Sequence, residues 1–444
     1  MNCSRTARKW AASSSQAAIW LVALALALPL LSAPSRAQEP PSASAVLASI
    51  EVTGSARFPS DRIVAATELR TGASVTREEL QAAADRLERL GPFATVQYRY
   101  TTGESGVNVA YQVTDAPEIP VVFDNFPWFT DEELMTSLER SVPLFNGMAP
   151  ENGAVLDDMA SAIERLLDMR DVHASVSHQV TVRGAAGQRV QQFSADGVDL
   201  GIERIEFSDP LANSDRGVQD QLTNLIGKPY SRSVIELFEL EQVRPVYLSH
   251  AFLRVQFPQP AARFADAKNS QGKVVVAAPI NPGPAYIWNG VTWKGNYSIP
   301  PDALDDLVKL HTGDPADGMK IQAAWESVRG LYGERGFLDA KVVPAPEFND
   351  AAKRISYAVS IDEGTQYHMG DLVLTGLSPD GERRIRAAWK LSPGSVFDKT
   401  LYDEFLDTGI KQAFAGLPYR YDKIGRFLQE DSKDSKVDVL LDFQ

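Results

Sequence analysis

The stretch LASIEVTGSARFPSDRIVAATELRTGASVTREELQAAADRLERLGPFATVQYRYTTGESGVNVAYQV, residues 47–113, decides the fold. Leu47 to Val52 alternates apolar and polar residues and reads as a strand closed by Gly54. Phe58 to Leu69 has helical spacing with Ser60 as its expected N-cap, and Thr71-Gly72 ends it. Thr76 with Glu79 three residues later forms a capping-box pattern ahead of Arg77 to Leu90, whose apolar stripe is Leu80, Ala83, Ala84, Leu87 and Leu90. Gly91-Pro92 stops that helix. Ala94 to Tyr100 and Val107 to Val113 then alternate as two strands around the turn at Thr102 to Gly106. The order is β-α-α-β-β.

The punctuation of that unit returns. Gly54 to Gly72, Gly295 to Gly313 and Gly376 to Gly394 are each spaced by 18 residues. Leu69-Arg70-Thr71-Gly72 matches Leu310-His311-Thr312-Gly313, and Gln81-Ala82-Ala83 matches Gln322-Ala323-Ala324 at the same offset from those glycines. Leu331-Tyr332-Gly333-Glu334-Arg335-Gly336-Phe337-Leu338 matches Val246-Tyr247-Leu248-Ser249-His250-Ala251-Phe252-Leu253 in its Tyr-to-Phe spacing. A recurring period of this kind marks an array of small units. With Pro and Gly at the cuts, the expected units are 46–116, 117–199, 200–283, 284–365 and 366–444. The second is the most divergent: helices at Asp131–Arg140 and Leu156–Met169 flank a longer stretch, Val142 to Gly153. The fold class is therefore α+β, an elongated string of tandem βααββ modules. Units this small bury marginal cores, so neighbours lean on one another.

The N-terminal stretch differs in kind. Arg5, Arg8 and Lys9 precede the apolar run Ala17 to Leu31, and Ser35-Arg36-Ala37 offers small residues for cleavage, so 1–37 reads as a secretory signal and 38–45 as a linker. An uncleaved anchor is the alternative, against which Pro29 and the short run count. Cys3 is the single cysteine and falls within the signal. The whole chain carries a formal charge of -14 from 44 basic and 58 acidic residues. Removing the signal takes away four basic residues and no acidic one, leaving 40 basic against 58 acidic, a charge of -18. An acidic chain is a poor nucleic-acid binder and points to a protein partner.

Chemistry-bearing motifs are sparse. The five histidines His173, His178, His250, His311 and His368 form no metal-spaced set, and no nucleophile elbow, phosphate loop or zinc-helix motif occurs. His173 and His178 fall at the start of an expected strand. Asp157-Asp158 and Asp305-Asp306 each sit early in an expected helix, where acids suit the macrodipole. Trp288, Trp293 and Trp325 read as core. No catalysis, metal, cofactor or small-molecule substrate is expected.

The fourth unit resembles a POTRA (polypeptide-transport-associated) domain of the outer-membrane assembly factors related to BamA and to the translocation-and-assembly module. The resemblance rests on Gly295-Asn296-Tyr297, on Leu331 to Phe337, on Ile361-Asp362-Glu363-Gly364 and on the exit Gln366 to Gly376. It implies a periplasmic scaffold that binds unfolded or partly folded outer-membrane proteins, or an outer-membrane β-barrel protein, by adding their strands to open sheet edges. By resemblance the second strand of each unit is the edge: Thr95–Tyr100, Ser175–Val182, Arg254–Phe257, Asp339–Val343 and Tyr419–Ile424. The candidate partner-binding residues are Val96, Tyr98, Val176, Val180, Val255, Lys341, Val342 and Tyr421. The family's barrel has no counterpart before Gln444, so a barrel-free relative and a piece of a longer assembly factor both stay open. A structural envelope spacer is the competing reading.

Overall fold

The computed structural model describes residues 44–183, 187–266, 272–415 and 423–444. The signal at 1–37 with Cys3, linker residues 38–43 and Tyr421 lie outside the described residues. The first unit runs β1 (Ala45–Thr53), α1 (Ser60–Thr67), β2 (Ser74–Val75), α2 (Arg77–Leu90), β3 (Phe93–Gly103) and β4 (Gly106–Asp115). Its sheet has the order β2-β1-β4-β3, with β1 parallel to β4 and β3 antiparallel to it. The capping box forms: Glu79 N–H donates to Thr76 Oγ1 at 3.2 Å, and Thr76 N–H to Glu79 Oε2 at 2.7 Å. The expected Ser60 cap does not form. Pro59 takes the cap position, and the Ser60 hydroxyl donates instead to the Val52 carbonyl, because Pro59 already fixes the backbone entering the helix.

The second unit holds β5 (Ile119–Phe123), α3 (Asp131–Ser141), β6 (Met148–Ala149), α4 (Val155–Asp168), β7 (Ser175–Arg183) and β8 (Gln188–Asp196), with sheet order β6-β5-β8-β7. The third holds β9 (Ile202–Phe207), α5 (Pro210–Ser214), α6 (Arg216–Leu222), α7 (Arg232–Phe238), a π-helical turn at Glu239–Val243, α8 (Arg244–Ser249), β10 (Ala261–Phe264) and β11 (Val274–Ala278). Its sheet runs β10-β11-β9. The fourth has β12 (Ile287–Lys294), α9 (Pro301–Val308), α10 (Gly318–Glu334), β13 (Lys341–Asn349) and β14 (Arg354–Asp362). The fifth has β15 (His368–Thr375), α11 (Pro379–Ala388), α12 (Lys399–Glu404), a second π-turn, α13 (Ile410–Ala413), β16 (Ile424–Asp431) and β17 (Lys436–Phe443). Their orders are β12-β14-β13 and β15-β17-β16. The chain is thus a mixed α/β protein of repeated βααββ modules.

The repeated glycines have one cause. Gly54, Gly295 and Gly376 take φ of 102°, 86° and 78°, and a Cβ on each would overlap the carbonyl oxygen of Val113, Ile361 or Phe443 on the parallel neighbour. At the end of the first helix, the Gly72, Gly313 and Gly394 amides donate to the Leu47, Trp288 and Met369 carbonyls on the opening strand. Gly227 does the same toward Ile202 in the third unit, where Asp209 rather than a glycine stands 18 residues earlier.

Among the described residues, four hydrophobic cores serve the five units. The first, fourth and fifth each centre on their own core, whereas one continuous core joins Val121 in the second unit to Ile280 in the third. Trp288 and Trp325 are buried and Trp293 packs beside them. Asp157 and Asp158 sit in the first turn of α4. Asp305 and Asp306 do not sit at a helix start, since α9 begins at Pro301 with Asp302 as its first-turn acid; Asp305 accepts from Trp293 Nε1 at 2.8 Å. His173 precedes β7 and pairs with Asp168 at 3.0 Å, while His178 lies on β7 and pairs with Asp157 at 3.2 Å. Among the described residues, no helix is long and apolar enough to cross a membrane, and no cluster of three acidic, His or Cys residues is placed to hold a metal.

Candidate functional site: open sheet edges

In each unit the opening strand pairs in parallel with the last, and the middle strand is left outermost. The outer strands are β3, β7, β10, β13 and β16. An outermost strand carries one row of main-chain donors and acceptors that no neighbour uses. At the opposite edge a short antiparallel contact meets the opening strand, as β2 and β6 in the first two units and as single bridges at Gly201–Pro229, Ile287–Pro315 and His368–Val396 in the rest.

The five outer strands are not equivalent. β3 pairs with β4 from Phe93 to Gly103, contains no proline and has Arg99 as its single charge. β7 is also free of proline, and Val180 and Val182 are exposed on it. β16 exposes Phe427 but carries Arg426, Glu430 and Asp431. β13 contains Pro344 and Pro346, yet its register with β14 runs unbroken through both. That is possible only if both ring nitrogens face the free side, where a proline costs the ladder nothing. The middle of the β13 edge therefore lacks two alternate donors, and proline is a recognised guard of an exposed edge.

Val96 and Tyr98 lie on β3 and pack partly against the first core. Val176 lies on β7 with its side chain in the core, and Val180 lies on the same strand facing out. Lys341 and Val342 open β13 ahead of its prolines, with Lys341 exposed and Val342 buried. Val255 is a correction. Arg254–Phe257 is not a strand: Gln256 makes one bridge to Asn281, and Val255 packs on the shared core from an irregular segment. Pro258 and Pro260 delay the strand, so the outer strand of the third unit is β10, at Ala261–Phe264. Sequence reading missed it, although the apolar run Val274–Ala278 called for an antiparallel partner. The described part of the last outer strand starts at Ile424 and runs to Asp431, beyond the expected Tyr419–Ile424.

A buried polar knot joins the second and third units. Arg183 reaches Asp124 at 2.9 Å, Glu236 at 3.2 Å and Gln192 at 3.0 Å. Arg232 donates to both Asp131 oxygens at 3.0 and 2.8 Å and to the Phe123 carbonyl at 2.8 Å. Burial pushes the Glu236 carboxyl up, with Arg183 opposing it. In the π-turn, Glu239 is pushed up to about 8 by burial first and by the Glu236 charge second. These groups come from distant parts of the sequence, and no local motif announces them.

The family model described as "Surface antigen variable number repeat" (POTRA) matches residues 45–116 and 286–364. These two segments are POTRA domains. They are the units that hold β3 and β13, so the contrast between an unguarded and a proline-guarded edge lies between two POTRA domains of one chain. A Treponema pallidum (strain Nichols) protein named "Putative outer membrane protein assembly factor" is 21% identical over 241 residues, which is 53% of this chain and 29% of that protein. The chain thus spans under a third of that relative's length. The crystal structure of Haemophilus influenzae BamA POTRA3-5 aligns at 19% identity and a TM-score of 0.41, covering 55% of this chain and 96% of that one. POTRA1-3 of the periplasmic domain of Omp85 from Anabaena aligns at 11% identity and a TM-score of 0.20, covering 91% and 96%.

Proposed function

We propose that this chain is a periplasmic, non-enzymatic scaffold of outer-membrane protein assembly. Its five modules, 46–116, 117–199, 200–283, 284–365 and 366–444, follow an exported N-terminal signal at 1–37. It binds unfolded outer-membrane proteins, or the periplasmic side of an outer-membrane barrel, by strand addition. The observation that carries the reading is the eleven-residue outer strand β3 in a POTRA domain, with no proline along it. Main-chain hydrogen bonding at such an edge accepts many sequences, which suits a handler of varied clients. β3 and β7 are the binding edges on this reading, and β13 contributes only its first residues, Lys341 to Val343.

The test is crosslinking pull-down of the tagged chain from its native envelope, with two alternating sets of proline variants in β3. One set is Val96→Pro and Tyr98→Pro; the other is Gln97→Pro and Arg99→Pro. Neighbouring residues in a strand point their N–H groups to opposite sides. One set therefore breaks the β3–β4 ladder, while the other removes free donors and keeps the fold, and circular dichroism tells them apart. Loss of barrel proteins with the folded set supports strand addition. Unchanged recovery with that set removes β3 as the binding edge and favours a structural spacer.

A further inference from the structure

The repeat makes the front of one unit comparable with the front of another. Ala45, Tyr286 and Tyr367 each stand nine residues before the glycine that closes the opening strand, and Arg77, Gly318 and Lys399 each stand five residues after the glycine that follows the first helix. In the fourth and fifth units these positions form the seat of the unit before. A Cβ on Gly318 would meet the Leu253 side chain, and Leu253 packs on the fourth core. Leu338 packs likewise on the fifth core, with Gly333 against the stem of Lys399. Each leucine stands two residues past a left-handed residue just beyond a helix end, Ala251 or Gly336.

Among the described residues, the same place on the first unit is a hollow of about 180 Å³, lined by Ala45, Val75, Arg77, Leu80, Thr102 and Val107. Val75, Leu80 and Val107 are buried and make its wall apolar. The hollow has a cause in the sequence. Thr102 pairs with Val107 and Val107 with Leu47, as Phe348 pairs with Ile355 and Ile355 with Trp288. The fourth unit thus fills this place with the rings of Tyr286 and Phe348, 4.8 Å apart, where the first unit has only Ala45 and Thr102. An apolar cavity of roughly 150 Å³ takes a group the size of benzene, so a leucine side chain fits. Residues 38–43, which precede Ser44 at the rim, are Gln-Glu-Pro-Pro-Ser-Ala and hold no branched aliphatic side chain. Leu253 and Leu338 are already engaged within the chain.

We propose that the front of the first unit docks a βααββ module of another polypeptide, which seats in this hollow a leucine that follows a helix end. Modules of an array bury their faces against neighbours of the same build, and the chain itself uses this seat twice. Arg77 is long and cationic like Lys399, so the docked helix carries a small residue five positions before its leucine, as Gly333 precedes Leu338. A large side chain there, such as Leu248 opposite Gly318, would collide with Arg77. The inference goes beyond strand addition: it concerns a folded partner at one end of the module rather than an unfolded client along β3, and it stands or falls separately.

The probe is a blocked, fluorescently labelled peptide of the sequence Arg329 to Ala340, acetyl-Arg-Gly-Leu-Tyr-Gly-Glu-Arg-Gly-Phe-Leu-Asp-Ala-amide, titrated into the full chain by anisotropy. It stands in for the partner's helix end. It is expected to bind saturably, and the peptide with Leu338→Ala at least tenfold more weakly. Ala45→Glu in the chain puts a carboxylate into the hollow and is expected to abolish binding. Gly333→Leu in the peptide is expected to weaken binding about tenfold, and Arg77→Gly in the chain to restore it. Absence of binding, equal affinity for the Leu and Ala peptides, or binding untouched by Ala45→Glu overturns the inference. Binding that appears only once residues 1–43 are removed makes the chain's own N-terminal segment the occupant. Self-association in sedimentation that Ala45→Glu abolishes makes the occupant a second copy. Either result overturns the inference too. Capture of a urea-unfolded barrel protein that still depends on β3, with no binding of the peptide, defeats the docking seat while sparing the proposed function. Failure of both defeats both.

Discussion

The junction between the second and third units and the later junctions hold neighbours together by different physics. At the later junctions the contact is small and repeated. Tyr286 N–H donates to the Ala251 carbonyl at 3.0 Å, and Tyr367 N–H to the Gly336 carbonyl at 2.8 Å. In each case the acceptor residue lies in the left-handed region at the end of the preceding helix, with φ of 66° and 81°. Leu253 and Leu338 pack into the next unit's core. Even the helix contact is repeated with its sizes exchanged: Gly318 sits against Leu248, and at the next junction Gly333 sits against Lys399. Between the second and third units the apolar core is continuous, and Arg183 reaches Glu236 and Arg232 reaches Asp131 across it. The difference teaches that one pair of modules shares a single core while the others dock through cores of their own.

The largest effect that separates the two kinds of junction is Arg183→Ala. It leaves the Asp124 and Glu236 carboxylates buried without their cation, which costs about 3 kcal/mol. Hydrogen exchange is expected to show β8 and β11 losing protection together, with β14 and β17 unaffected; loss confined to the second unit would deny that the shared core couples the pair. Next is Gly318→Lys, which overpacks Leu248 and costs about 2 kcal/mol. Leu248→Gly in the same chain transplants the pairing of the following junction, and is expected to recover at least about 1 kcal/mol in a double-mutant cycle. No coupling between the two would show that the exchanged sizes are coincidence.

Glu239→Gln acts only in the pair with the shared core and through pH. The Glu239 carboxyl holds its proton more tightly folded than unfolded, so its contribution is fully present below its ordinary value of 4.5 and is lost as pH rises toward about 8. The variant is expected to be more stable than the parent by on the order of 2 kcal/mol at pH 8 and nearly equal to it at pH 5. Urea unfolding across that range, followed at β11 by hydrogen exchange, checks the sign. The smallest effect is Tyr367→Phe, which removes the hydroxyl's bond to Asp339 at 3.0 Å and loosens the last junction by about 1 kcal/mol. Equal exchange rates at β13 and β17 in the two proteins would make that tyrosine irrelevant to docking.

Most of the fold was legible because the repeat is written in residues with strict backbone requirements. Gly54, Gly295 and Gly376 leave no space for a Cβ, and Thr76 with Glu79 caps the helix that starts at Arg77. The Tyr247-to-Phe252 and Tyr332-to-Phe337 spacing reported a real device, since each Phe amide donates to the Tyr carbonyl five residues back. Legibility failed where one local pattern competed with another. Val255 alternates like a strand residue, but Pro258 and Pro260 shift the strand beyond it. Ser60 looked like a cap with Pro59 already in place. The proline guard on β13 was present in the sequence but acquires meaning only once the strand is known to be outermost. The knot of Asp124, Arg183, Arg232 and Glu239 stayed invisible because its members are brought together solely by the packing of two modules.

The central claim is that clients add to the free edge of β3. Hydrogen exchange resolved to single amides on β3 and β13, with and without a urea-diluted outer-membrane barrel protein, tests it most directly. The account expects every second amide from Thr95 to Thr101 to gain protection at least tenfold while the stretch Pro344–Phe348 of β13 is unchanged. Protection that spares β3, or that appears equally along β13, would contradict it.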